Sequence, residues 1–110
     1  MATDVTETTF ETDVIEGSKQ KAVIVDFWAE WCGPCHAVSP VLERIVEERP
    51  DEVTLVKVNI DENQELAGRF GVMMIPTMIL FRDGEPTATA TGARPKRDLE
   101  RQLGLVEAAV

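Results

Sequence analysis

Positive charge is scarce in this sequence. Its 110 residues include 11 Lys and Arg against 20 Asp and Glu, a formal net charge of −9. Nucleic-acid binding depends on phosphates neutralised by clustered Lys and Arg, so no nucleic-acid partner is expected. The acidic balance favours solubility and some steering toward basic surfaces, which salt screens. Long apolar runs are lacking as well. The longest are the size of a strand, which excludes a transmembrane helix, and no membrane partner is expected. Met1 to Phe10 is polar and acidic, without the basic start and apolar stretch of a secretory leader, so the expected compartment is the reducing cytoplasm. Internal repeats and low-complexity segments are absent. The length suits one domain over residues 1–110, and 44% hydrophobic content suffices for one modest core. A monomer is expected.

What is present alternates between strand and helix patterns. Thr8 to Phe10 reads as a short edge strand, followed by a weak helical stretch ending at Gly17. Ala22 to Trp28 is a nearly continuous apolar run of strand length, the pattern of a strand buried on both faces. After Cys32-Gly33-Pro34-Cys35, the residues Val38, Val41, Leu42, Ile45 and Val46 recur at helical spacing until Pro50 and Asp51 end the helix. Pro40 lies inside it and predicts a kink. Val53 to Ile60 reads as a strand, and Asn63 to Phe70 as a short helix closed by Gly71. Thr77 to Arg82 and Pro86 to Thr91 read as strands joined by an Asp83-Gly84 hairpin turn. A last helix runs from Pro95 to about Val106, with Leu99, Leu103 and Val106 on one face. This order predicts an α/β fold with one central mixed five-stranded sheet and helices on both faces. Sites in such sheets lie beyond the carboxyl ends of strands, where Cys32 falls.

Cysteine is limited to two residues, Cys32 and Cys35, and histidine to one, His36. A structural disulfide is disfavoured, because so small a loop restricts the unfolded chain little. Zinc is disfavoured too, since a structural site needs four ligands and His36 adjoins Cys35. No metal is expected. Redox catalysis fits best. Cys32 should sit at a helix N-terminus, where free amides and the macrodipole favour a thiolate. Cys35, one turn along, should point inward. An exposed attacker with a buried resolver is what thiol exchange requires.

These residues resemble the thioredoxin family. Trp31-Cys32-Gly33-Pro34-Cys35 is similar to the family's W-C-G-P-C site, with a similar approach over Val25 to Trp31. Lys57 to Asp61, Ile75-Pro76-Thr77, Phe81 to Gly84, and Gly92 match in order and spacing, so the resemblance runs from about Phe10 to Leu105. It implies the thioredoxin fold and a reductase of disulfides in client proteins, itself reduced by a flavin-dependent thioredoxin reductase with electrons from NADPH. The chain itself would hold no cofactor.

Asp26 and Lys57 each interrupt an apolar strand, and a buried charge is costly unless paired. Either could point to solvent at a strand end or form a structural pair. The resemblance puts their strands side by side and Asp26 beneath the dithiol. Burial would raise its carboxyl pKa toward the operating pH, so Asp26 is expected to assist deprotonation of Cys35, with Lys57 tuning it. Pro76 would be trans by the usual X-Pro preference, whereas the resemblance implies a cis proline facing the dithiol. Ile75 would then offer backbone groups to an extended substrate. Trp31, Gly33, Pro34, Gly92 and Ala93 would form an apolar lip, with Trp28 packed nearby.

Three features depart from the family's pattern. His36 stands where Lys or Arg is usual, either as a plain surface side chain or as a pH-dependent influence on the thiolate. Met73-Met74 is either core packing or a soft client-binding surface. Arg94, Lys96 and Arg97 crowd a helix start, where the macrodipole disfavours cations; they either steer acidic partners or are simply solvated, and solvation is expected. An oxidase or isomerase on the same fold is disfavoured by Gly33-Pro34. A non-catalytic role as a subunit of a larger enzyme stays open as an added function.

Overall fold

The computed structural model describes residues 2–106. Within them the strands are β1 (Thr3–Asp4), β2 (Ala22–Trp28), β3 (Val53–Asn59), β4 (Thr77–Arg82) and β5 (Glu85–Thr91). The α-helices are α1 (Gly33–Glu47), α2 (Gln64–Arg69) and α3 (Lys96–Gln102). The sheet runs β1-β3-β2-β4-β5. β3 is parallel to β1 and β2, while β4 is antiparallel to both β2 and β5. The expected mixed five-stranded sheet is therefore present.

Alternation along β2 separates two apolar layers. Ala22 and Ile24 face Val38, Leu42 and Ile45 of α1 and Leu99 of α3. Val23, Val25 and Phe27 face the other way, toward Phe10, Val14 and Leu66. A strand buried on both sides needs apolar residues on both, which accounts for the unbroken run in its sequence. Asp83 and Gly84 both take positive φ, 52° and 83°, as a two-residue hairpin turn requires. Pro86 lies beside the register shift of this hairpin, on the edge strand, where its missing N–H is tolerated.

Three expectations need correction. Thr8 and Thr9 form a turn and Phe10 opens the helical segment that follows, so no strand lies here, and the edge strand lies earlier, at Thr3–Asp4. The Phe10 amide donates to the Thr6 carbonyl at 2.9 Å, and the turn drives its ring into the core beside Phe70 and Phe81. Core packing overrides the extended preference of Thr and Phe. The following stretch is a π-helical segment, Glu11–Glu16, continued as a 3-10 turn over Gly17–Lys19, so Gly17 does not end it. The last helix stops at Gln102. Gly104, at φ 72°, closes it with paired bonds from its own amide to Arg101 and from Leu105 to Glu100. Leu99 and Leu103 are buried as expected, but Val106 lies beyond the helix. α1 continues through Pro40, which is exposed, so the donor it lacks is lost on the outer face.

Lys96 is not simply solvated. It reaches Glu48 at 2.7 Å and Glu100 at 3.3 Å, and Glu100 also holds Arg49 at 2.7 Å. This cluster ties α3 to the end of α1. Burial pushes the Glu100 carboxyl up, but the hydrogen bonds and charges of Arg49 and Lys96 outweigh that and bring it below its ordinary value. A depressed carboxyl stabilises the fold above its unfolded pKa, and this is lost as the pH falls through the folded one. Glu100→Ala should therefore cost about 2 kcal/mol near neutral pH, because it leaves the half-buried Arg49 with only the more distant Glu48, at 3.8 Å, as an acidic partner. The deficit should shrink below pH 4.5, the ordinary value for this side chain. Urea unfolding across pH checks this, and a deficit independent of pH would contradict it.

Candidate active site

β2 delivers the chain to the site. It ends at Trp28, and after three residues Cys32 caps α1 in an extended conformation. The Cys35 amide donates to Cys32 Sγ at 3.2 Å, so a sulfur takes the place usually held by a Ser or Asp oxygen. Pro34 occupies the first turn, where its missing N–H leaves no bond broken. Cys32 and Cys35 are joined in a disulfide, with Cα atoms 5.3 Å apart. No acidic side chain lies in that first turn to oppose negative charge on sulfur. The expected contrast in exposure is nearly absent, since Cys32 is 4% exposed and Cys35 2%. Ile60, Ile75 and Trp28 pack against the pair and cover Cys32 along with its partner.

Asp26 is fully buried and stands opposite Lys57 on β3 and Met78 on β4. Neither carboxyl oxygen has a hydrogen-bond partner. Burial raises its pKa from an ordinary 3.8 to about 7, and the Lys57 charge pulls the other way. The alternative of a solvent-facing Asp26 is thereby excluded. Lys57 is half-buried, its Nζ 4.4 Å from the Trp28 ring centroid and 3.5 Å from Ser39 Oγ on α1. It joins β3, the end of β2 and the dithiol-bearing helix.

The second wall comes from the approach to β4. Gly71, at φ 64°, closes α2 with bonds from its own amide to Gly68 and from Val72 to Ala67. The chain then runs through Met73 and Met74 to a cis Ile75–Pro76 bond. The Thr77 hydroxyl donates to the Met74 carbonyl at 2.6 Å, and the Gly92 amide to the Pro76 carbonyl at 2.9 Å. Pro76 is buried, and Ile75 packs against the disulfide. Gly92 has φ 85° with open space where a Cβ would stand, so conformation rather than crowding calls for glycine. Gly33, Pro34 and Ala93 are exposed. Trp31 is 69% exposed and donates from Nε1 to Asp61 Oδ2 at 2.8 Å.

Of the open alternatives, core packing is excluded for Met73 and Met74, which are exposed. His36 is exposed, with Nε2 2.8 Å from the Glu30 carbonyl and its ring edge-on to Trp28. Arg94 donates from Nε to the Thr91 carbonyl, and Arg97 is exposed. Ile60 and Asp61 were not singled out from sequence. Ile60 follows β3 directly, and its amide bonds to the Trp28 carbonyl at 2.9 Å. Its position at the carboxyl end of a strand beside Trp28 was the available signal. Among the described residues no group of three or more His, Cys, Asp or Glu side chains could hold a metal ion.

Two thiols at a helix start, an adjoining exposed apolar wall and a carboxyl titrating near neutrality suit thiol–disulfide exchange. Comparison with known proteins agrees. The thioredoxin family model matches residues 1–104. A thioredoxin of Listeria monocytogenes is 49% identical over 103 residues, covering 94% of this chain and 96% of its own. One of Mycobacterium tuberculosis is 50% identical over 99 residues, covering 90% and 84%. One of Alicyclobacillus acidocaldarius is 53% identical over 83 residues, covering 76% and 79%. With sequence, sheet topology and the Cys32–Cys35 disulfide in agreement, the chain belongs to the thioredoxin family, protein-disulfide reductases that serve disulfide-bearing clients and are re-reduced by thioredoxin reductase.

Proposed function

We propose a division of labour among the site residues, carried by the disulfide that caps α1. In the reduced protein the Cys32 thiolate attacks one sulfur of a client disulfide. A mixed disulfide forms as the client S–S bond breaks, and the other client sulfur leaves as a thiolate. Asp26 takes the Cys35 proton, directly or through water. Cys35 then attacks Cys32 Sγ, which closes the Cys32–Cys35 disulfide and releases the second client sulfur. Two electrons pass to the client. Support for Asp26 comes from its burial without partners and its pKa of about 7, which suits a base at neutral pH. Lys57 moderates that value and steadies Trp28.

Clients dock on the wall formed by Trp31, Ile75, Pro76 and Gly92, beside Gly33 and Pro34, with Ile75 offering backbone groups to an extended segment. The exposed large apolar side chains of the described structure, Trp31, Met73 and Met74, support this because all lie along that wall. The residues 1–110 act as one monomeric domain in the cytoplasm, without nucleic acid or membrane as a partner. Support comes from the net charge of −9 and the confinement of both cysteines to one redox pair.

The first test is reduction of insulin by NADPH and thioredoxin reductase. Cys32→Ser should abolish turnover, and retention of even a tenth of the rate would remove Cys32 as the attacker. Asp26→Ala should slow reduction about tenfold or more near pH 7 without abolishing it. It should also remove the rise in rate as the pH passes about 7. An unchanged pH profile would exclude Asp26 as the base.

Asp26→Ala should act oppositely on stability. The folded protein keeps a proton on Asp26 that the unfolded chain releases, so stability declines as the pH rises from 3.8 toward about 7. Above that range the variant should be more stable than the original by roughly 2–4 kcal/mol, and near pH 4 the gain should vanish. Denaturant unfolding at both pH values measures this. An equal effect at both would mean that the carboxyl is not perturbed.

A further inference from the structure

The most exposed large apolar side chains of the described structure stand on the wall of the active site. Met73 is 93% exposed and Met74 55%, whereas Met78, a few residues on, is fully buried. The segment is fixed at both ends, by the closure of α2 at Gly71 and by the Thr77 hydroxyl on the Met74 carbonyl. Met73 and Met74 line a groove of about 320 Å³ with Trp31, Ile60, Val72 and Ile75. Ile60 and Ile75 continue from this groove onto the disulfide. Thioethers in water add little to the core. They supply adaptable apolar contact, and exposure makes them open to oxidation.

We propose that Met73 and Met74 are a peroxide-responsive modification site, whose conversion to sulfoxides loosens client docking while the dithiol keeps its chemistry. The proposal rests on clients docking along this groove. In each step the thioether sulfur attacks one oxygen of hydrogen peroxide. An S–O bond forms as the O–O bond breaks, sulfur loses two electrons, and the departing hydroxide takes the remaining proton to leave as water. The sulfoxide puts a strong acceptor on an apolar wall, where a docked client must desolvate it. In the disulfide form Cys32 and Cys35 offer peroxide no thiolate and are almost fully covered, so the methionines are oxidised first.

The test treats the oxidised protein with hydrogen peroxide, removes it and locates added oxygen by peptide mass spectrometry. The protein is then reduced with dithiothreitol and mixed with excess insulin or with a small aromatic disulfide. We expect oxygen on Met73 and Met74 before Met78, and a fall of about fivefold in the rate constant toward insulin, as loss of ~1 kcal/mol of contact would give. The small disulfide should react as before. Met73→Leu/Met74→Leu should show no change on peroxide treatment, whatever its starting rate. Oxidised rim methionines with undiminished insulin reduction would overturn the proposal. So would an equal loss toward both substrates, or an equal loss in the double variant. Failure of the untreated protein to reduce insulin would instead remove the docking reading beneath it.

Discussion

Asp26 sits fully buried on the central strand, with two carboxyl oxygens that have no hydrogen-bond partner. The surrounding structure compensates for this position in two ways. The carboxyl keeps its proton up to about pH 7, which removes most of the cost of burying it. Lys57, directly opposite on β3, supplies a nearby positive charge when that proton leaves. A more polar strand would let the carboxyl ionise in the ordinary acid range and make it a weak base at neutrality. Asp26 shares a face of β2 with Ala22 and Ile24, so the layer formed with α1 and α3 is the one that covers it.

The same strand sets the geometry of the dithiol. β2 runs out at Trp28, and three residues later the chain enters α1 with Cys32 as its cap. Two local bonds, Cys35 to Cys32 Sγ and His36 to the Glu30 carbonyl, hold this entry together with one long-range bond, Trp31 to Asp61. The opposing wall is set by the local closure of α2 at Gly71 and by the bond from Gly92 to Pro76 across the β4–β5 hairpin. The two walls hang on different strands and meet because those strands are neighbours in one sheet.

Legibility in the sequence followed the range of the interactions. β2 and β4 were readable to the residue because a doubly buried strand leaves an unbroken apolar run. The Asp83-Gly84 turn was readable because its conformation restricts residue type. Thr8 to Phe10 misled because Phe10 serves a core that only tertiary packing defines. The cysteines stood out by motif, and Asp26 by interrupting an apolar run. Ile60 and Asp61 lay within the Lys57 to Asp61 motif, but their contacts and the shape of the groove were not legible, since each depends on which strand ends lie side by side. The near-equal burial of the two cysteines was missed for the same reason: Ile60 and Ile75 arrive from elsewhere in the chain.

Asp26 and Glu100 pull the pH dependence of the fold in opposite directions. Glu100 contributes stability only while ionised, so its contribution fades below the ordinary carboxyl range. Asp26 costs stability once ionised, and that cost accumulates up to about pH 7. Taken together, these two groups favour the fold most near the ordinary carboxyl range, and the Asp26 cost then grows with pH up to about 7. The proton transfer proposed for Cys35 needs the opposite condition, an ionised Asp26 ready to accept. On that proposal, one buried carboxyl sets the pH that suits the chemistry above the pH that these two groups favour for the fold. The ion cluster between α1 and α3 uses side chains away from the dithiol and keeps its full contribution at the higher pH. It stabilises the helix that carries the cysteines under the conditions where the site itself is least favourable to the fold.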